Sequence, residues 1–297
     1  MNRPWPRLAG AAIAASVLLL ASTGCGSPPD TSTYERVRET GILRIGYANE
    51  APFAYQDSTT GELTGEAPAI VRLIAADLGI TDVEGVLTEF GSLIPGLLAG
   101  RFDMIAAGMY VTPARCAQVA FSEPTYSIGE ALIVPAGNPK GLHGYEDVRD
   151  RPDVTIGVVT GAIQREYARA MGVPDAQVLT FPDAPAALAG VRAGRVDSYA
   201  ATELTVETLL DRAAPGLERA APFREPVIDG RAARGYGAFA VRRDDGAWLA
   251  AINTSLGSFI GTDRHAELVA PFGFTDSMRP GPVTTEALCH PSDGPAG

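Results

Sequence analysis

Two similar α/β lobes sharing one cleft are the fold class this sequence predicts, on three observations. Residues 86–110 (VLTEFGSLIPGLLAGRFDMIAAGMY) and 178–204 (VLTFPDAPAALAGVRAGRVDSYAATEL) echo each other, both reading strand, loop, short helix, Gly-Arg-x-Asp, strand. Each copy follows an apolar strand that runs into a loop, 42–47 before 48–53 and 154–159 before 160–164. Helices alternate with these strands, which is the pattern of mostly parallel sheets.

In chain order, Arg3 and Arg7 precede an apolar run at 9–21 that is too short to span a bilayer comfortably. A basic start, an apolar middle and small residues ahead of a cysteine predict an export signal over 1–24, with Cys25 lipidated as the first mature residue. Such a chain is held at the outer face of the cell membrane, or in the periplasm, by its lipid alone. Residues 25–33, rich in Ser, Pro and Thr, are expected to form a flexible tether, with folded structure from Tyr34. Lobe 1 is predicted over 34–128 and 237–291, and lobe 2 over 129–236. The boundaries follow from segments 125–130 and 234–237, read as crossings between lobes because a first-lobe pattern resumes at 238–241 and in a helix over 249–259. Two crossings make a hinge.

Within lobe 1 a helix is predicted over 68–78, with Pro68 in its first turn, Ile70, Val71, Ile74 and Leu78 facing inward, and Gly79 at its end. In the first repeat Leu93, Ile94, Leu97 and Leu98 form the apolar face of a helix stopped by Gly100. Ala187, Leu188 and Val191 do the same before Gly194 in the second. Asp103 and Asp197 fall at matching places in the repeat and are expected to hold local geometry.

Ligands of such sheets bind beyond the carboxyl ends of the strands. That nominates loops 48–53, 90–92, 108–115, 160–164, 182–185 and 202–203. The first lobe then offers Glu50, Phe53, Phe90, Tyr110, Thr112 and Arg115; the second offers Thr160, Gly161, the backbone donors opening a helix over 162–171, and Thr202. Aromatic faces attract a cation, an arginine grips a carboxylate with paired hydrogen bonds, and a carboxylate accepts from cationic N–H groups. Taken singly, each has a plainer reading: an aromatic fills core, Glu50 is a solvated acid, Arg115 sits on a surface turn begun by Pro113. Together they suit a compact zwitterion with a delocalised cation, a carboxylate and an apolar body.

The formal net charge of −11 argues against nucleic acid or an anionic membrane surface as partner. After removal of the signal and lipidation of Cys25, Cys116 and Cys289 remain, and in an oxidising compartment this pair favours a disulfide over metal or nucleophile chemistry. No zinc-type spacing, nucleophile elbow or phosphate loop is visible, so neither a metal nor another cofactor is expected.

The stretches GYANEAPFAY, LTGEAP, EGVLTEFGSLIPGLLAGRFDMIAAGMYVTPARCAQVAFSEPTY and GNPKGLHGYEDV resemble the extracytoplasmic solute-binding proteins of ABC importers for polar amino acids and related zwitterions, over residues 41–274. Within that family they closely resemble the ectoine and 5-hydroxyectoine binding proteins. The resemblance implies a two-lobed periplasmic-binding-protein-like fold of type II, a monomer that closes on its solute and hands it to a membrane permease. It also implies that Phe53, Phe90 and Tyr110 enclose the ligand, Glu50 meets the ring nitrogens and Arg115 meets the carboxylate. Relatives that hold an α-ammonium group usually carry an aspartate where this chain has Thr202. Neighbouring Glu203 is expected to point the other way along an extended backbone. A ligand with charge spread around a ring is therefore favoured over a common α-amino acid, glutamine-like solutes being the alternative and betaine or proline remaining open. Some proteins of this fold are cyclohexadienyl dehydratases, but His143, His265 and His290 lie outside the nominated loops and Glu50 is the one acid in reach. The expectation is binding without catalysis.

Overall fold

A computed structural model describes residues 32–213, 215–228 and 230–291. The expected export signal and the lipidation site Cys25 lie outside the described residues. Among the described residues no helix is long and apolar enough to cross a membrane.

Folding starts earlier than the composition suggests. Ser32 caps the helix Thr33–Thr40, its hydroxyl accepting from the Glu35 N–H while the Glu35 carboxylate takes the Ser32 N–H. This capping box draws Ser32 and Thr33 out of the expected tether, because it satisfies two backbone donors that a coil would leave to water.

Two five-stranded sheets carry the fold and share one topology. The first runs Asp82–Leu87, Ile42–Tyr47, Met104–Ile105, Ala240–Val241, Ala120–Phe121, the first two pairings parallel and the last two antiparallel. The second runs Val178–Phe181, Ile156–Val159, Ser198–Thr202, Glu130–Pro135, Leu217–Arg219, again two parallel pairings and then two antiparallel. In each sheet the strand that arrives from the other lobe takes the fourth place. The crossings Tyr126–Ile128 and Gly235–Gly237 pair with each other as an antiparallel ribbon between the sheets.

Helices cover both faces of each sheet. Trp248 and Ile252 of the helix Gly246–Gly257 and Ile70 and Ile74 of the helix Glu66–Asp77 bury one face of the first. Leu93, Leu97 and Phe102 bury the other. The helix Glu66–Asp77 starts two residues ahead of Pro68, since no first-turn N–H has an intrahelical partner and proline fits anywhere in that turn. Of the four apolar side chains expected on the inner face of Leu93–Leu98, only Leu93 and Leu97 are buried; Leu98 turns out to be exposed, more than a third of a turn away from Leu93 around the helix. In Ala184–Arg192, by contrast, Ala187, Leu188 and Val191 all go inside.

The repeat shows most clearly at its aspartates. The Asp103 N–H donates to the Arg44 carbonyl (2.9 Å) and its carboxylate takes the Arg44 N–H (3.0 Å). Asp197 makes the same pair with Thr155, at 3.0 and 2.8 Å. Each lashes the third strand of its sheet to the second. Cys116 and Cys289 are joined by a disulfide, their Cα atoms 5.7 Å apart, which ties the C-terminal helix Thr285–Cys289 to the turn after Arg115.

Candidate functional site

The carboxyl ends of the parallel strands of both sheets meet around one cleft lined by residues of both lobes, the usual place for a ligand in such sheets. Glu50, Phe53, Phe90, Tyr110, Arg115 and Thr202 line it, joined by Val159, Ala162, Ile163, Gln164, Tyr199 and Ala201.

Local backbone places the aromatic wall. Gly108, at φ +66°, passes so close to Phe53 that a Cβ there would lie 2.6 Å from the ring. Gly235 on the returning crossing does the same for Tyr110, whose ring would meet a Cβ at 1.8 Å. Phe53 packs on Tyr126 and Phe274, ring centroids 5.4 and 5.9 Å away, which fixes its face toward the cavity. The Tyr110 hydroxyl is buried with no partner among the described residues. A polar atom left so is expected to find one in a ligand.

Arg115 sits in the short helix Pro113–Cys116, capped by Thr112. One terminal nitrogen donates to the Tyr110 carbonyl (2.7 Å), the other crosses the cleft to the Gly161 carbonyl (2.9 Å), and the guanidinium lies 5.6 Å from the centre of the Phe90 ring. The lobes are in contact here: a Cβ on Gly161 would stand 2.6 Å from the Gly91 Cα. A second bridge runs from Thr202, which donates to the Thr205 hydroxyl (2.9 Å), and on from Thr205 to Glu50 (2.8 Å). Burial pushes the Glu50 carboxyl above its ordinary range, and the Thr205 hydrogen bond partly offsets this.

Several expectations change on the second lobe. Thr160 does not line the cavity; its hydroxyl and N–H are both spent on the Phe181 carbonyl. Gly161 turns its carbonyl, not its N–H, to Arg115, because its φ of +80° reverses the chain at that point. The helix accordingly starts at Gln164 and runs to Ala170, and the N–H groups with no backbone partner among the described residues at this wall include those of Gly161, Ile163 and Gln164. Thr202 lines the cavity, but its hydroxyl caps the next helix by accepting the Thr205 N–H at 3.1 Å. Glu203 opens that helix, Glu203–Ala213, instead of continuing an extended strand, and accepts from the Gly129 N–H at the hinge (3.2 Å).

Sequence reasoning missed three residues. Thr205 was signalled by its Thr-x-x-Thr spacing at a helix start. Gln164 is the first polar residue after Gly161. Glu130 is a lone acid opening the otherwise apolar strand EALIVP; it is fully buried and receives the Gln164 side-chain amide at 2.9 and 3.2 Å. Burial raises its pKa to about 8 against that hydrogen bond, with Glu225, Glu50 and Glu203 adding to the rise. Among the described residues no cluster of metal-ligating side chains exists.

The model of the bacterial extracellular solute-binding proteins, family 3, matches residues 43–275, and the chain belongs to that family. Its fold is the two-lobed periplasmic-binding-protein-like α/β fold. A probable amino-acid ABC transporter periplasmic-binding protein of Sinorhizobium fredii, y4tE, is 38% identical over 290 residues, 96% of this chain and 94% of that one. Among solved structures, EhuB in complex with hydroxyectoine is 35% identical with a TM-score of 0.79, covering 87% of this chain and 98% of that one. The ancestral amino acid-binding protein AncCDT-1, a precursor of cyclohexadienyl dehydratase, is 26% identical at a TM-score of 0.70, covering 81% and 99%.

Proposed function

We propose that this protein is the binding component of an ABC importer and captures ectoine or 5-hydroxyectoine by hinge closure, delivering it to the permease. The observation that carries the reading is the convergence of Phe53, Phe90, Tyr110, Glu50 and Arg115 on one cleft. Ectoine is a cyclic amidinium bearing a carboxylate. Its ring fits among the three aromatic faces, Glu50 accepts from the ring nitrogens, and the carboxylate meets Arg115 with the N–H groups of Ile163 and Gln164. Thr202 offers no acid to an α-ammonium group, which disfavours a glutamine-like ligand. The likeness to the hydroxyectoine complex of EhuB points the same way.

Capture here is binding without chemistry, by a monomer with no cofactor, tethered by lipid on Cys25 to the outer face of the membrane and engaging no nucleic acid. Calorimetric titration with ectoine, 5-hydroxyectoine, glycine betaine, proline and glutamine tests the ligand. The two ectoines should bind tightest, and a preference for glutamine would sink the reading. Incubation with prephenate or arogenate tests the absence of chemistry, where any turnover contradicts it.

A further inference from the structure

Gln164 brings a side-chain amide to the cavity wall, and its environment fixes which end of that amide faces the ligand. The amide nitrogen reaches both carboxyl oxygens of Glu130, at 2.9 and 3.2 Å. Glu130 is itself immobilised: it is fully buried at the start of the crossing strand Glu130–Pro135, and its N–H is held by the Glu225 carboxylate at 3.2 and 3.3 Å. An amide whose nitrogen is committed on one side presents its oxygen on the other. No donor among the described residues reaches that oxygen, and Gln164 lines the cavity. The space it faces also holds the unpartnered Tyr110 hydroxyl.

We propose that Gln164 is a specificity-determining residue, presenting its amide oxygen to an N–H or O–H donor on the ligand, and that Glu130 is the positioning residue that holds it in this orientation. This rests on the zwitterion reading of the cavity and sharpens it: the site selects solutes that carry a donor over those whose nitrogen is fully substituted. A bound solute without such a donor takes water from the Gln164 amide oxygen without replacing it, and sites built to hydrogen-bond reject such analogues strongly.

The test titrates the purified full chain and its variants with ectoine, 5-hydroxyectoine and glutamine, which carry donors, and with glycine betaine, which carries none. Gln164→Leu should weaken the donor-bearing solutes by roughly 10- to 100-fold while leaving glycine betaine within roughly 3-fold. Glu130→Gln keeps an oxygen for the Gln164 amide and should retain the wild-type ranking, whereas Glu130→Leu should lose it as Gln164→Leu does. If Glu130→Leu does not fold, the contrast between Gln164→Leu and Glu130→Gln decides. A Gln164→Leu chain that keeps wild-type affinity for every donor-bearing solute, or that loses all four solutes by one common factor, overturns the proposal. Glutamine heading the wild-type ranking would overturn the ectoine reading alone, and the same variants would still decide the role of Gln164.

Discussion

Arg115 divides its guanidinium between structure and ligand. Two of its N–H groups hold the carbonyls of Tyr110 and Gly161, which aims the rest of the fork into the cavity. Arg115→Ala should therefore cost about 2–5 kcal/mol of binding energy by leaving the ligand carboxylate buried and unpaired. Glu203→Ala should cost under about 0.5 kcal/mol, since Glu203 does not reach the cavity. Calorimetry on both variants checks the ranking, and equal losses would refute it. Truncation of Phe53, Phe90 or Tyr110 should each weaken ectoine binding by ~1–3 kcal/mol, and silence at two of them would return them to the core. Glu50, Phe53, Phe90, Tyr110 and Arg115 could be nominated from sequence because each follows a strand end in a fold whose ligands gather there. Gln164 closed the nominated loop 160–164 and Thr205 carried a capping spacing, but their partners Glu130 and Glu50 stand 34 and 155 residues away, which local pattern does not encode.

At the scale of elements, the strand Glu130–Pro135 carries a carboxyl into the apolar interior between the lobes, and the helix Glu66–Asp77 does the same with Glu66. Burial raises both to about 8 from an ordinary 4.5. The folded chain therefore holds protons that the unfolded chain has released, and stability falls as pH rises through this window. His265 acts oppositely: burial lowers it to about 4 from 6.5, so its contribution is complete above that pH. Above about 6.5 His265 adds no further pH dependence, burial raises Glu50 and Glu225 in the same direction as these two carboxyls, and the thermal midpoint should drop as pH rises toward about 8. Glu130→Gln should flatten that slope, and a midpoint rising across the window would contradict the assignment. Helices and strands were legible here because apolar spacing, Pro68 and the glycines at 79, 100 and 194 mark them. Their first residues were less so, since Ser32 capping and the Gly161 turn are decided by a single side chain or a single φ.

For the whole molecule, the lobes touch through contacts that need no ligand. Glu50 meets Thr205, Arg115 meets Gly161, and the Arg212 guanidinium of the second lobe lies 4.7 Å from the centre of the Tyr55 ring of the first. Closure is a population shift, so any contact made only in the closed form adds to apparent affinity. Arg212→Ala should weaken all bound solutes alike by about 0.5–1 kcal/mol, without altering their ranking. A change in ranking would place Arg212 in the site instead. The two-lobed plan itself was readable in the internal echo, and the shared sheet order shows why: each half repeats one topology, with the strand that follows a crossing in fourth place. The closed geometry was not readable, because it arises where two distant loops, around Gly91 and Gly161, meet. The ectoine pose is tested most directly by a crystal structure of the protein grown with ectoine. The expected result is the ring among Phe53, Phe90 and Tyr110, its nitrogens on Glu50 and its carboxylate on Arg115; an empty cleft, or a carboxylate turned away from Arg115, would contradict it.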